Sequence, residues 1–220
     1  MTKIISLGGS IIVPDAIDTE FLKRFRDLIL SHDDKFAIYC GGGSIARKYQ
    51  KALAEVVGED KDKLDWMGIS ATHLNAFLIR SIFKDVAEDE IIKDPTLKIK
   101  FDKKVLVAGG WKPGWSTDYD SVLLAKNIGA DTVINLTNVD HIYDKDPRKF
   151  KDAKAIKELS WDNLLLLIGE DWKPGLNAPF DPIAAKKARE LGIKAYVVGK
   201  DIDNLKNVLS GKEFVGTKIR

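Results

Sequence analysis

The sequence has little of what a disulfide-bonded or histidine-based site requires. It contains a single cysteine, Cys40, among 220 residues, which excludes an internal disulfide framework and favours a reducing, cytoplasmic environment. The three histidines, His32, His73 and His141, are scattered along the chain. They therefore predict neither a zinc site nor a histidine nucleophile.

The sequence also lacks an excess of charge and a long hydrophobic run. Lys and Arg total 35 against 33 for Asp and Glu, so the formal net charge is +2, and the two signs are interspersed. This balance predicts neither a nucleic-acid nor a membrane partner. No apolar run approaches the roughly 20 residues that cross a bilayer, and the apolar patch near the start is too short for a signal peptide. With 45% hydrophobic and 31% charged residues, the composition is typical of a soluble globular protein.

Short β-rich runs alternate with longer segments of helical spacing. Strands are predicted at 3–7, 36–39, 105–108, 132–136 and 195–198, with shorter edge strands after Phe214, and helices near 18–31, 44–57, 63–86, 116–128, 160–168, 182–191 and 202–209. This order predicts an α/β fold, a three-layer αβα sandwich with a mostly parallel central sheet, formed by one domain over 1–220. The polar segments 88–102 and 169–180 mix charge with Pro and Gly and are predicted to be mobile lids.

Glycine-rich turns follow three of the predicted strands. They are Gly8-Gly9-Ser10, Gly41-Gly42-Gly43-Ser44 and Gly109-Gly110. In a parallel sheet such turns lie together at the carboxyl edge, where open α/β folds bind ligands. Residues without a Cβ let the main chain approach a phosphate, and the N–H groups of the next helix bind its oxygens. The three turns together predict a phosphate-binding edge, although any one of them could serve only to turn the chain.

Two common nucleotide-binding glycine motifs do not fit. No G-x-x-x-x-G-K-[ST] string occurs, which excludes a P-loop. Gly41-x-Gly43-x-x-Ala46 satisfies a relaxed dinucleotide-binding pattern, but the acidic residues about 20 positions on, within 60–65, enter a helix instead of ending a strand. We interpret this match as accidental.

Polar groups crowd the segment that follows the strand predicted at 132–136. Thr137 and Asn138 offer donors and acceptors to a base or ribose, Tyr143 offers a stacking face, and Asp146 could accept from ribose hydroxyls or lie near a hydrated metal. A plain turn rich in Asn, Asp and Pro is the alternative interpretation.

Further motifs accompany these turns over essentially the whole chain. The full set is Gly8-Gly9-Ser10, Gly41-Gly42-Gly43 with Arg47, Gly109-Gly110, Lys112-Pro113-Gly114-Trp115-Ser116-Thr117-Asp118, Thr137-Asn138-Val139-Asp140, Asp146-Pro147 and Asp181-Pro182-Ile183-Ala184-Ala185-Lys186. This set resembles the amino-acid kinase superfamily and, within it, the uridylate (UMP) kinases of the archaeal type. Thr-Asn stands where aspartokinases commonly have Thr-Asp, and Ile45-Ala46-Arg47 departs from the Phe-Gly-His of isopentenyl phosphate kinases.

The resemblance implies an amino-acid kinase (carbamate kinase-like) fold and an enzyme that transfers the γ-phosphoryl group of Mg-ATP to UMP. The residues implied to bind UMP are Gly42, Asp65, Trp111, Lys112, Pro113, Gly114, Trp115, Ser116 and Thr117. Those implied to bind ATP are Gly9, Ser10, Gly43, Arg47, Thr137, Asn138, Tyr143 and Asp146. The implied catalytic residues are Asp118, Asp181 and Arg47.

In this family the N-terminal part mainly binds the acceptor, and roughly 126–220 would mainly bind ATP. The Mg²⁺ ion arrives with ATP, and no protein ligand is assigned to it. Plainer roles stay open at this point: Asp118 and Asp181 could merely cap helices, and Asp65 could be a solvated surface charge.

The chain departs from the superfamily pattern at two places. Most members have a lysine where this chain has Ser6, and the replacement cation could be Arg47, Lys48, Lys112 or Lys186. Trp111 and Trp115 stand where small or polar residues are usual, and their indoles could stack on a base or exclude water.

Two alternative functions therefore stay open: a kinase of the same superfamily with another acceptor, and a non-catalytic nucleotide or oxyanion binder. The apolar residues of the helix predicted at 63–86 could form an interface, and the resemblance implies a homohexamer built from dimers.

Overall fold

The computed structural model describes residues 1–147, 149–169 and 180–220. The strands in this part of the chain are β1 (Thr2–Leu7), β2 (Lys35–Cys40), β3 (Val105–Ala108), β4 (Thr132–Leu136), β5 (Ile142–Tyr143), β6 (Ala155–Ile156), β7 (Glu158–Leu159), β8 (Lys194–Val198) and β9 (Thr217–Ile219). Seven of them form one sheet in the order β3-β2-β1-β4-β8-β9-β7, and β5 pairs with β6 in a separate antiparallel ribbon.

The sheet is parallel at every pairing except that of β8 with β9. Because β1, β2 and β3 are adjacent and parallel, their carboxyl ends meet at one edge. The three glycine turns therefore lie along the same edge, as the sequence predicts.

Helices cover both faces of the sheet. They are α1 (Gly9–Ile12), α2 (Thr19–Ser31), α3 (Gly43–Val57), α4 (Lys61–Ile82), α5 (Thr117–Ile128), α6 (Trp161–Ile168), α7 (Pro182–Leu191) and α8 (Ile202–Leu209). The longer ones mostly begin at an Asp or Ser side chain that accepts a hydrogen bond from a first-turn amide, as Asp18, Ser116 and Asp181 do.

Two apolar cores lie on opposite sides of the sheet. One contains residues of α2, α4 and α8, and the other contains residues of α5, α6 and α7. Alternate residues of β2 point to opposite cores: Ile38 and Cys40 belong to the first, whereas Ala37 and Tyr39 belong to the second. This arrangement confirms the predicted three-layer αβα sandwich with a mostly parallel sheet.

Some boundaries differ from the prediction. Helix α4 ends at Ile82 and not at residue 86, because the chain turns there and Ala87 forms a bridge with Val105 of β3. Strand β9, expected at an edge, lies between β8 and β7. Helix α1 and the two-residue strands β5, β6 and β7 were not predicted, since such short elements have no measurable period.

The segment 88–102 is attached to the sheet. The amide of Glu88 donates to the carbonyl of Val105, and that of Ile92 to the carbonyl of Val107, both at 2.8 Å. These bonds satisfy polar groups of the edge strand β3, so the segment differs from the mobile lid predicted for it. Most of the second predicted lid, 169–180, lies outside the described residues. Within the described part of the chain, no helix combines the length and apolarity needed to cross a membrane.

Candidate active site

The glycine turns after β1 and β2 touch each other through their backbones. A Cβ on Gly9 would lie 2.0 Å from the amide nitrogen of Gly43, and a Cβ on Gly41 would lie 2.4 Å from the nitrogen of Gly9. Gly43 also has a φ of +65°, a conformation that favours glycine. The two turns therefore form one continuous backbone surface that admits no side chain at these positions.

Four amides on this surface have no hydrogen-bond acceptor in the described part of the chain: those of Gly9, Ser10, Gly42 and Gly43. Gly9 and Gly43 are the first residues of α1 and α3, where amides lack an intrahelical acceptor. Grouped, unsatisfied amides at the start of a helix favour an anion such as a phosphate.

The third glycine turn is built differently, because its amides are already bonded. Gly109 donates to the carbonyl of Ile92 at 3.0 Å, and Gly110 donates to Thr72 Oγ1 at 2.7 Å. This turn therefore fixes the base of the loop that follows it, whereas the free amides belong to the first two turns. The predicted location of all three turns at one edge of the sheet is confirmed. Their contact with phosphate stays a prediction, for which the first two turns offer the unbonded amides.

Side chains of α4 hold two of these turns. Buried Asn75 donates through Nδ2 to the carbonyls of Gly41 and Gly42, at 2.7 and 3.2 Å. His73 Nε2 lies 2.8 Å from the carbonyl of Gly110, and burial lowers the pKa of this histidine. A carbonyl only accepts, so the bond requires the proton on Nε2.

Asp65, near the start of α4, binds the tryptophan loop, as we call residues 111–117. Its Oδ2 accepts a hydrogen bond of 2.9 Å from the amide of Gly114, whose φ is +85°. Asp65 is therefore a residue that shapes this loop and not merely a solvated charge, which makes its predicted role in acceptor binding geometrically coherent.

Aromatic rings and one cation extend from the tryptophan loop. The centroids of Trp111 and Trp115 lie 6.4 Å apart, and Trp115 stacks on Tyr119 of α5 at 4.1 Å. Lys112 Nζ lies 3.9 Å from the centroid of Trp111, a cation–π contact. Trp115 and Tyr119 also line an open groove of about 540 Å³ together with residues of α7, including Ile183. Trp115 therefore packs toward the outer α5–α7 face as well.

A hydrogen-bonded chain joins β1, α5 and α7. Ser6 Oγ donates to Asp118 Oδ1 at 3.4 Å, and the amide of Asp181 donates to Asp118 Oδ2 at 3.2 Å. Asp181 in turn caps α7 by accepting from the amides of Ile183 and Ala184. Burial and the nearby Asp181 carboxylate raise the pKa of Asp118 to about 7. The structure thus brings the two predicted catalytic aspartates together.

A third carboxyl group lies beside this pair and was not singled out from the sequence. Asp120 is 1% exposed, and its Oδ2 accepts a 3.1 Å hydrogen bond from the amide of Trp111. Burial raises its pKa to about 7, and the charges of Asp118 and Asp181 add to the effect.

The polar segment after β4 lies next to the first glycine turn. The amide of Gly8 donates to the carbonyl of Leu136 at 2.9 Å, which places Thr137 beside that turn. Asp140 packs against the main chain at Gly199, at the end of β8. The other predicted residues here are Asn138, which is exposed, Tyr143 on β5, and Asp146.

The candidate cations differ in their surroundings. Arg47, on α3 close to the second turn, is exposed and makes no ion pair within the described residues. Lys48 is instead paired with Asp15 at 2.8 Å. Lys112 lies against Trp111, and Ser6, at the position of the usual lysine, binds Asp118. The fourth candidate, Lys186, lines the groove beside Trp115 and Tyr119. Of Arg47, Lys48 and Lys112, only Arg47 makes neither an ion pair nor a ring contact within the described residues.

A family model described as the amino acid kinase family matches residues 1–199. The chain therefore belongs to the amino acid kinase family. Among curated relatives, the uridylate kinase of Thermoplasma volcanium is 37% identical over 221 residues, with coverage of 98% of this chain and 96% of the relative. The uridylate kinase of Pyrococcus abyssi is 36% identical over 218 residues, with 96% of each chain covered.

Solved structures agree with this assignment. The crystal structure of uridylate kinase from Archaeoglobus fulgidus matches with a TM-score of 0.86 at 33% identity, over 100% of both chains. The match spans the whole sheet and both helical layers, so the fold of this chain is the fold of that enzyme.

Proposed function

We propose that this protein is a UMP kinase, which transfers the γ-phosphoryl group of Mg-ATP to UMP and releases UDP and ADP. The observation that carries the proposal is the similarity, over nearly the full chain, to several uridylate kinases at 33–37% identity. The free amides at the shared edge of β1 and β2 agree with a substrate that carries phosphate.

The two substrates are proposed to bind on opposite sides of the carboxyl edge shared by β1 and β2. UMP would contact Gly42, Asp65 and the tryptophan loop, which α4 holds through the Asp65–Gly114 hydrogen bond. ATP would contact the residues of the first turn and of the segment after β4, namely Gly9, Ser10, Gly43, Arg47, Thr137, Asn138, Tyr143 and Asp146. In this proposal the chain is one domain whose N-terminal part mainly binds the acceptor and whose remainder, roughly 126–220, mainly binds ATP.

The acceptor needs little activation, because a phosphomonoester with a second pKa near 6 is mostly a dianion at neutral pH. The larger obstacle is electrostatic. Each pair of unit charges at ~6 Å repels by roughly 3 kcal/mol at an effective dielectric of ~20. Catalysis then consists mainly of alignment and charge compensation. Within the described residues, the four free amides and Arg47, which makes no ion pair there, are the groups proposed to supply that compensation.

Asp118 and Asp181 would organise the transfer centre. Asp118 accepts hydrogen bonds from Ser6 of β1 and from the amide of Asp181 at the start of α7, so it fixes β1 and α7 relative to each other. Its raised pKa of about 7 lets this carboxyl carry a proton near neutrality, which reduces its repulsion toward the phosphates.

Mg²⁺ would enter as part of the substrate Mg-ATP. In residues 1–147, 149–169 and 180–220, no group of three or more His, Cys, Asp or Glu side chains is placed to hold a metal ion.

We also propose a homohexamer built from dimers, located in the cytoplasm, where UMP phosphorylation serves pyrimidine nucleotide biosynthesis. Helices α3 and α4 expose large apolar side chains, among them Val56, Trp66, Leu74 and Phe77. A second copy of the chain is the occupant proposed for this face. Light scattering of the wild type and of Phe77→Glu would test it, since the variant should form smaller particles.

Measurement of ADP release across a panel of acceptors tests the proposed activity. With Mg-ATP, UMP should be phosphorylated well above CMP, dUMP, aspartate, glutamate and isopentenyl phosphate. If another acceptor is phosphorylated faster than UMP, the protein is a kinase but UMP is not its substrate. Tight ATP binding without turnover of any acceptor would instead indicate a non-catalytic binder.

A further inference from the structure

Asn75 of α4 lies directly behind the second glycine turn. Its side chain is buried, and its Nδ2 atom donates to the carbonyls of Gly41 and Gly42, at 2.7 and 3.2 Å. Only the nitrogen of a side-chain amide can donate, and it carries two hydrogens, so one hydrogen is available for each carbonyl. A single side chain therefore holds two consecutive peptide groups of this turn.

These two hydrogen bonds also determine where the next two amides point. In a planar trans peptide group, the carbonyl and the N–H of the following residue point in opposite directions. The described part of the chain contains no cis peptide bond. Because the carbonyl of Gly41 points at Asn75, the amide of Gly42 points away from it. By the same geometry, the bond to the carbonyl of Gly42 directs the amide of Gly43 away from Asn75.

The neighbouring amides show that this orientation is selective. The amides on either side, those of Gly41 and Ser44, each donate to a backbone carbonyl at 3.0 Å. The amides of Gly42 and Gly43, which lie between them, have no acceptor among residues 1–147, 149–169 and 180–220. The two free amides of the turn are therefore the two that follow the carbonyls bound by Asn75.

A glycine turn needs such a restraint, because residues without a Cβ leave the peptide groups free to adopt several orientations. Rotation of either peptide group away from Asn75 would break a hydrogen bond to a buried side chain, which is unfavourable. Asn75 thus favours one orientation of both groups before any ligand is present. An anion that binds at this turn meets donors already in place, and no reorganisation of the backbone is required.

We infer that Asn75 is a positioning residue: through the two hydrogens of its side chain, it orients the amides of Gly42 and Gly43 toward the edge where phosphate is proposed to bind. The inference deepens the proposed function, on which it rests only for the identity of the phosphate-bearing ligands. In that proposal Gly42 contacts UMP and Gly43 contacts ATP, so one buried side chain prepares an amide for each substrate. Asn75 acts through the backbone and not by contact with a substrate.

The substitution Asn75→Leu tests the inference, because leucine has the same branched shape but no hydrogen to donate. UMP and uridine differ by one phosphate group, so the ratio of the uridine to the UMP dissociation constant measures what that group contributes. We expect this ratio to fall by about 10-fold in Asn75→Leu, because hydrogen bonds to a charged group are the strong ones. The dissociation constant of uridine itself should change little. Titration calorimetry measures both constants, and an unchanged ratio, or an equal loss of affinity for both ligands, would overturn the inference.

Asn127→Leu is the matched control. Asn127 on α5 likewise donates through Nδ2 to two carbonyls, those of Pro95 and Leu97, but neither belongs to a glycine turn. This variant should keep the wild-type ratio. Asn75→Asp is the second variant and covers the case in which Asn75→Leu does not fold. Its carboxyl has at most one hydrogen for two carbonyls, so its ratio should fall as well, and a wild-type ratio in either folded Asn75 variant would contradict the positioning role.

A readout without UMP separates this inference from the proposed activity. In isotope-labelled wild-type protein, pyrophosphate should shift the NMR amide signals of Gly42 and Gly43 but not that of Gly41, which is bonded within the protein. The two shifts should be lost in the Asn75 variants. If the acceptor panel finds no UMP turnover but the signals behave as stated, the proposed function fails and the positioning role stands. If UMP is phosphorylated but the wild-type signals do not shift, or the variants retain the shifts, the positioning role fails alone.

Discussion

Ser6 on β1 donates its hydroxyl proton to Asp118 at the start of α5, across 3.4 Å. Asp118 also accepts the amide hydrogen of Asp181, so one carboxyl joins a strand and two helices. Ser6, which occupies the position of a lysine in most of the superfamily, thus orients the Asp118 carboxyl in this chain.

Replacement of Asp118 by Asn should separate catalysis from stability. The amide keeps one accepting oxygen but loses the second, so it cannot accept from both Ser6 and the Asp181 amide, and turnover should fall by roughly 100-fold or more, as for other groups that organise reaction centres. The melting temperature should change little, since a carboxyl with a raised pKa is not stabilised by its surroundings. Steady-state kinetics and thermal melts measure both. Ser6→Ala is the matched control, with a smaller loss, and near-normal turnover of Asp118→Asn would remove this residue from the mechanism.

Replacement of Asp65 by Ala should chiefly weaken acceptor binding. The change removes the acceptor for the Gly114 amide and releases the tryptophan loop from α4. We expect the UMP Michaelis constant to rise several-fold while that for ATP stays the same. Asp62→Ala, at an exposed position three residues earlier in α4, is the control and should leave both constants unchanged. An Asp65→Ala enzyme with normal UMP affinity would refute this role.

Replacement of Asn75 by Ala should destabilise the protein and its second glycine turn. Loss of the buried amide leaves the carbonyls of Gly41 and Gly42 without this donor, which costs about 1–3 kcal/mol. For a chain of this length each kcal/mol lowers the melting temperature by about 2–4 °C. Calorimetry of Asn75→Ala beside Asn127→Ala, an exposed amide that likewise donates to two carbonyls, those of Pro95 and Leu97, would measure the effect of burial. Equal losses in the two variants would count against a special role for Asn75.

Gly9→Ala should prevent the first two glycine turns from packing together and should abolish folding or kinase activity. The new Cβ would lie 2.0 Å from the nitrogen of Gly43. Gly68→Ala is the control: its Cβ would meet only the movable end of Gln50, and alanine suits the interior of α4. Expression yield, melting temperature and turnover compare the two. A stable, active Gly9→Ala protein would contradict the close approach of the first two turns.

The pH dependence of stability should reveal Asp120. Its pKa is about 7 in the folded protein against about 3.9 in an unfolded chain, so the folded state retains a proton that the unfolded state releases between these values. The resulting stabilisation is complete below about pH 4 and is lost as the pH rises to about 7. The free energy of unfolding of Asp120→Asn relative to the wild type should therefore increase over this interval, by up to about 1.4 kcal/mol per pH unit, and then level off. Urea titrations from pH 4 to 9 measure it, and a constant difference would contradict the raised pKa.

The sheet could be predicted because its main strands are buried on both faces. The strands β1, β2, β3 and β4 each contain apolar residues at consecutive positions, and each ends at a glycine or a polar turn. Strands β5, β6 and β7 have two residues each, too few to show alternation. They exist because the surrounding chain is held in place, as by Thr217, which accepts from the amide of Ile142.

The parts of the candidate site that could be predicted are those where glycines, acids and polar residues directly follow an apolar strand. Thr72, His73 and Asn75 could not, because inside a long helix a polar residue gives no sign of the loop it contacts. The role of Asp120 could not be predicted either, because acidic residues are common in the first turn of a helix and Asp120 lies only two residues after Asp118. Whether such a residue holds a loop depends on contacts between elements distant in sequence, here α4 with β2 and β3.

Helix α4 connects the two parts of the chain that are proposed to bind the acceptor. Four of its side chains contact these parts. Asn75 bonds the turn after β2, Thr72 and His73 bond Gly110 at the base of the tryptophan loop, and Asp65 bonds Gly114 at its tip. A shift of this helix relative to the sheet would displace the second glycine turn and the tryptophan loop together, because α4 is bonded to both.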